Sequence, residues 1–169
     1  MVLFVSLFIS VLIFLLKDKL AGLESYGLLG LFVISVIGNA TIVFPAPVIL
    51  SAFVAGAIFN PLAVTVAVSA GATVGELTGY YAGFGGTSLV GNEAKLKKIK
   101  TWIDKFGLWV IFVLAVIPNP LFDLAGIVAG ATGIPVWKYL IVVFAGKFIK
   151  FGIFAFLGAG STGLIDKFL

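Results

Sequence analysis

The sequence predicts an all-α integral membrane fold, built as an inverted repeat of two re-entrant hairpins. Each hairpin is followed by a spanning helix, and a further span precedes both. Three observations carry this prediction. The chain of 169 residues is 62% hydrophobic and only 11% charged, against roughly 25% charged in soluble domains. Two apolar stretches are interrupted by proline and glycine where a spanning helix would be continuous. Those two stretches also correspond in sequence, which makes them the halves of a repeat.

The length allows one membrane bundle with a single core. The net charge is +4, and every one of the 11 basic residues is lysine. Absent arginine argues against a bidentate phosphate clamp, and absent histidine against a pH switch or metal ligand. Absent cysteine removes disulfides and thiol nucleophiles. The lysines flank apolar spans, so they fit orientation on a membrane better than nucleic-acid binding.

In chain order, Val2 to Leu16 is an apolar run closed by Lys17-Asp18-Lys19. Without a basic leading segment or a small-x-small cleavage site it is expected as an uncleaved N-terminal span, residues 1–19. Lys17 to Tyr26 follows as a short interfacial helix. Residues 20–160 form the transmembrane domain, with repeat one at 26–84 and repeat two at 106–160. The first hairpin falls at Pro45, Pro47 and Gly56, ahead of a span from Leu62 to Phe84. Between the repeats, Leu96, Ile99, Trp102, Ile103 and Phe106 alternate at helical spacing with Lys95, Lys97, Lys98, Lys100 and Lys105. That pattern is a basic amphipathic helix, residues 92–107, lying in the interface. The second hairpin falls at Pro118, Pro120 and Gly130, with Gly126 and Gly133 as further breaks. A span from Val136 to about Leu157 follows, and 161–169 is a short tail.

The repeat is read from matched positions. Phe44-Pro45-Ala46-Pro47 corresponds to Ile117-Pro118-Asn119-Pro120 at an offset of 73 (118 − 45). Ala55-Gly56 and Pro61 recur as Ala129-Gly130 and Pro135, while Ala70-Gly71 and Gly83 recur as Ala145-Gly146 and Gly158. An aromatic-glycine pair, Tyr26-Gly27 or Phe106-Gly107, precedes each unit. Because a hairpin returns to its own side, the two spans must run in opposite directions. The positive-inside rule then puts the N-terminus and residues 92–107 in the cytoplasm of a multi-pass cell-membrane protein.

At Gly71-Ala-Thr-Val-Gly-Glu76 with Gly79-Tyr80 and Gly83, at Ile117-Pro-Asn-Pro-Leu-Phe-Asp123, and at Ala129-Gly130 with Gly146-Lys147, the chain resembles the DedA/VTT (SNARE-associated Golgi protein) family. The resemblance covers roughly residues 26–160. It implies paired re-entrant hairpins and movement of lipids or lipid-linked phosphates across the bilayer. Val48 stands where many bacterial members carry an acid, and Ala115 where many carry an arginine. These departures weigh against proton-coupled carriage of a polyprenyl phosphate.

Four charged residues fall in the interior of the apolar segments, away from their ends: Glu76, Asp123, Lys147 and Lys150. A lone charge at the bilayer centre costs roughly 2.5–3.5 kcal/mol on insertion scales, so mutual neutralisation is the bland reading. The functional reading is a hydrophilic path, with lysines attracting a lipid phosphate as point charges and the carboxylates releasing it or carrying a proton. Asn39 and Asn119 add polar groups beside the hairpins, with local turn bonding as the competing role. At about 1.5 Å of rise per residue, Lys147 lies nearer the depth of Glu76 than Lys150 does. Lys147 is therefore the expected partner of Glu76, and Lys150 the lysine free to meet headgroups. No cofactor, metal site or enzyme chemistry is expected, since no metal-ligand cluster or nucleophile–base pair is present. The expected function is scramblase- or flippase-like lipid transport, with membrane lipids and protons as partners. A proton-coupled solute transporter and a non-transporting structural protein are the alternatives.

Overall fold

The computed structural model describes residues 26–40, 46–85, 93–119 and 121–168. The predicted N-terminal span, Pro45 and Pro120 lie outside them. The described residues form helices, without strands: α1 (Leu28–Ala40), α2 (Ala46–Ile58), α3 (Pro61–Gly75), α4 (Leu77–Phe84), α5 (Glu93–Phe106), α6 (Leu108–Val116), α7 (Leu121–Ala131) and α8 (Val136–Phe168). Two stretches are long and apolar enough to cross a membrane, Pro61–Phe84 and Val136–Ser161.

The boundaries follow from local chemistry. Gly27 (φ 60°) and Gly107 (φ 61°) open α1 and α6 in a left-handed conformation that suits glycine. The Asn60 side chain accepts from the backbone N–H groups of Leu62 (3.0 Å) and Ala63 (3.1 Å), and Pro61 takes the first helical position of α3. Pro118 ends α6 by forcing Ile117 into an extended conformation (φ −82°, ψ 130°). Gly133 (φ 70°) turns the chain after α7.

Two expectations about these elements need correction. Gly56, Gly126 and Gly130 do not interrupt their helices; they lie inside α2 and α7. A Cβ on Gly56 would overlap the Ala155 carbonyl of α8, and one on Gly130 the Tyr80 carbonyl of α4. Their role is close helix contact. The expected span from Leu62 to Phe84 is present as Pro61–Phe84, with Glu76 at the junction of α3 and α4, where its N–H bonds to the Ala72 carbonyl and its own carbonyl accepts from Tyr80, both at 3.2 Å. Finally, α8 runs on to Phe168 through the expected tail, past the predicted end at Leu157.

Helix α1 packs on α3, α6 packs on α8, and α3 crosses α8. Glu76 meets Lys147 while Thr65 faces Gly152, so α3 and α8 run antiparallel. The shorter helices cross over: α2 has α8 as its main partner, and α7 has α4. Two contacts mirror those of Gly56 and Gly130, since a Cβ on Gly158 would overlap the Phe53 carbonyl and one on Gly83 the Ile127 carbonyl. Two hydrophobic clusters result. One centres on Ile111, Ala115, Phe122, Tyr139 and Val143, and the other on Val48, Val64, Val68, Phe151 and Ala155.

Polarity is distributed the reverse of a water-soluble bundle. Ser35, Thr65, Ser69, Thr73, Glu76, Lys147 and Lys150 are buried, whereas Leu29, Ile58, Phe84, Trp109, Ile141 and Phe156 are exposed. So much exposed apolar surface requires an apolar surrounding.

Candidate functional site

The site lies on the seam between the two clusters. Glu76 stands four residues from Ala72 of one cluster and four from Tyr80 of the other. Lys147 stands midway between Val143 and Phe151 in the same way. Positions four apart share a helix face, so each charged side chain is aimed between two apolar layers.

There Lys147 Nζ donates to Glu76 Oε1 at 2.7 Å and to Asn39 Oδ1 at 2.6 Å. Asn39 Nδ2 donates in turn to the Ser35 carbonyl at 2.9 Å, which fixes the amide with its oxygen toward the lysine. Only 1% of Lys147 and 3% of Glu76 is exposed. Two desolvated charges in such surroundings need each other and every available hydrogen bond. Glu76 keeps a helical backbone (φ −67°, ψ −13°) at the α3–α4 junction, so its side chain leaves the same face as Ala72 and Tyr80 and reaches the ammonium.

Lys150 lies one turn further along α8 and is also buried, 4% exposed. The expectation that it stands free toward headgroups is corrected: it is covered by aromatic rings. Its Nζ sits 5.9 Å from the Phe122 ring centroid and 5.1 Å from that of Phe151. Among the described residues it forms no ion pair. Lys147 Nζ is 5.0 Å from the same Phe122 ring, so one aromatic ring on α7 serves both lysines. Asp123, the next residue, is half-buried and within electrostatic range of Glu76, Lys147 and Lys150, but has no ion pair among the described residues.

The remaining expected residues divide. Asn119 is not part of this cluster. Its Oδ1 accepts from the Leu121 N–H (2.9 Å), and its Nδ2 donates to the carbonyls of Leu114 (2.9 Å) and Ile117 (2.7 Å), which caps α7. Pro47 accepts the Ser51 hydroxyl within α2, and Pro118 is exposed in the α6–α7 turn. Gly56 and Gly130 hold helices together at a distance from the charges. Val48 and Ala115, the two departures from the resembled family, are fully buried. Val48 lies against the bare face of Gly38 beside Asn39, and Ala115 against that of Gly146 beside Lys147.

Sequence reading missed Phe122, Ser35 and the polar stripe Thr65, Ser69 and Thr73. The stripe had a signal in its four-residue spacing on an otherwise apolar span. Thr65 and Thr73 bond back to the carbonyls of Pro61 and Ser69 at 2.7 Å each, while the buried Ser69 hydroxyl has no partner among the described residues. Tyr139, also buried and with its hydroxyl unpartnered among the described residues, stacks 5.1 Å from Tyr80 at the edge of the site.

With this geometry in view, the comparisons with known proteins become informative. Vacuole membrane protein KMS1 of Arabidopsis thaliana is 41% identical over 58 residues, covering 32% of this chain and 14% of that protein. A vacuole membrane protein 1 homolog of Dictyostelium discoideum is 44% identical over 55 residues, with the same coverage. Human vacuole membrane protein 1 is 41% identical over 58 residues, covering 34% of this chain and 14% of its own length. The matched stretch is thus about a seventh of each relative. No solved structure matches the chain. The family model for the VTT domain matches residues 44–160, which takes in Glu76, the capped α7 and both buried lysines, and the chain belongs to the VTT domain family.

Proposed function

We propose that this chain is a multi-pass cell-membrane transporter, scramblase- or flippase-like, that moves phospholipid or lipid-linked phosphate headgroups between leaflets. The observation that carries the proposal is Lys150, a buried lysine without an ion-pair partner among the described residues, one turn from the ion-paired Lys147. A phosphate that displaces the Phe122 ring would find one lysine already neutralised by Glu76 and one without an anionic partner. Asp123 faces the same lysines from α7 and competes with the phosphate, so binding stays weak enough for release. The work is passage, not catalysis, and the partners are membrane lipids.

In this reading α2 and α7 are the membrane-embedded arms of two re-entrant hairpins, and the halves form an inverted repeat. Support comes from the crossed contacts. Gly56 meets Ala155 and Gly130 meets Tyr80, pairs related by offsets of 74 and 75 residues, and the Gly158–Phe53 and Gly83–Ile127 pairs are related likewise. The antiparallel α3 and α8 agree with it, and the basic α5 sets the cytoplasmic side.

The test is transport of fluorescent lipids in liposomes holding the purified protein, with phosphate-bearing and phosphate-free headgroups compared. Lys150→Met should abolish movement of the phosphate-bearing lipid. Unchanged transport in that variant would overturn the proposal. A second reading, proton-coupled solute transport, draws on the lack of an ion pair at Asp123. It requires uptake that depends on a proton gradient and is selective for one solute, with no lipid movement.

A further inference from the structure

Away from the buried charges, α5 and α6 meet at an open groove of about 370 Å³, lined by Trp102, Phe106, Trp109, Val110, Val113 and Leu114. Trp109 is 71% exposed and is also a wall of a second groove, about 230 Å³, between α6 and α8. Both grooves are apolar, and the single indole stands between them. The lip of the larger groove is cationic. Lys98 Nζ lies 5.0 Å from the Trp102 ring centroid, and Lys105 Nζ lies 5.0 Å from that of Phe106. Asp104, the nearby acid, pairs with Lys100 at 2.7 Å and not with Lys98 or Lys105. Helix α5 is held in this pose by Ile99 and Ile103, which are buried in the cluster with α7.

Two apolar slots flanking a ridge, with ammonium groups at one lip, match an amphiphile with two chains and an anionic head. We infer that this surface is a binding site for an anionic diacyl phospholipid, distinct from the buried charge cluster. One acyl chain lies on each side of Trp109, and the phosphate rests on Lys98 and Lys105. The lysines use the aromatic rings as platforms, which holds their charges beside the groove instead of out in solvent. A zwitterionic lipid offers the same chains but cancels the attraction at its head, so the site discriminates by charge.

The experiment uses the whole chain in phosphatidylcholine nanodiscs, with Trp137→Phe to remove the third indole. Phosphatidylglycerol with brominated acyl chains is exchanged in, and quenching of Trp102 and Trp109 is compared with that by brominated phosphatidylcholine. Preference for phosphatidylglycerol is expected, with each of Lys98→Gln and Lys105→Gln weakening it about fivefold. Lys97→Gln removes the same charge from another face of α5 and should leave most of the preference intact. A loss from Lys97→Gln equal to that from Lys98→Gln or Lys105→Gln would reduce the effect to diffuse surface charge and overturn the site. Equal quenching by both lipids, or competition by soluble glycerol phosphate at the same concentration, would overturn it as well. None of these readouts depends on transport, so the site stands or falls independently of the reading of Lys150.

Discussion

Lys147 Nζ lies 2.7 Å from Glu76 Oε1, across a sequence separation of 71 residues, and joins the two long apolar stretches at their crossing. The pair is almost wholly out of solvent, and Asn39 completes it from a third helix. A contact of this kind is worth little as a net stabilising term but is costly to break from one side only. Glu76→Gln or Lys147→Met alone should each destabilise the fold by about 3–5 kcal/mol. The double variant should be clearly more stable than the sum of the two losses predicts. Thermal unfolding in detergent measures this; strictly additive losses would mean that the two side chains do not act as a pair.

Asp123 is predicted to matter for passage and not for folding. With no ion pair among the described residues, Asp123→Asn should leave insertion and thermal stability near those of the parent. Lipid movement per folded molecule should fall at least tenfold. A well-folded Asp123→Asn protein with normal transport would make the carboxylate a bystander.

The two asparagines expected in one role have separate ones, and their variants should behave differently. Asn119→Ala removes the cap of α7 and should cost about 1 kcal/mol. Transport per folded molecule should stay close to normal. Asn39→Ala leaves the Lys147 ammonium with one fewer acceptor, so it should lower both stability and transport. Loss of transport on Asn119→Ala at full stability would return that residue to the site.

Glycine contacts provide a sharper structural test. Gly130→Ala pushes a methyl group into the Tyr80 carbonyl and should cost about 1–3 kcal/mol or more, since neither backbone can yield easily. Gly160, inside α8, has nothing within 4 Å of a built Cβ. Gly160→Ala should therefore stay within about 1 kcal/mol of the parent, on the helix-propensity scale. Similar melting temperatures for the two variants would contradict the close approach of α7 to α4.

Orientation can be checked separately. Lys98→Cys should be protected from impermeant thiol reagents in intact cells, and Ser161→Cys should react. The opposite pattern would reverse the assigned sides without touching the fold.

What could be read in advance follows from the range of each interaction. The membrane class and the helices came from composition and periodicity, which are local. The Glu76–Lys147 contact was legible because depth along two opposed spans is simple arithmetic once their directions are fixed. Lys150 was misplaced because its cover, Phe122, arrives from another helix, and nothing in the local pattern announces a ring over an ammonium. Gly56 and Gly130 were read as breaks for a related reason. A helical glycine that admits a neighbouring carbonyl resembles a glycine that ends a helix until the neighbour is known. Asn119 had two legible roles, and only the position of α7 decides for the cap.

The crossed partnership of the short helices has a consequence for how the chain is made. Helix α2 is synthesised early, yet its main partner α8 emerges from the ribosome some eighty residues later (136 − 58 = 78). Until then Gly56 and Phe53 have no surface to close upon, and Lys147 is not yet available to Glu76. The first half must therefore wait in the bilayer with an unmatched carboxylate and a loosely held short helix. Ribosomes stalled between residues 92 and 120 should yield a first half that proteases clear readily. A second half supplied from a separate message should rescue it, since the two fragments carry each other's missing surfaces.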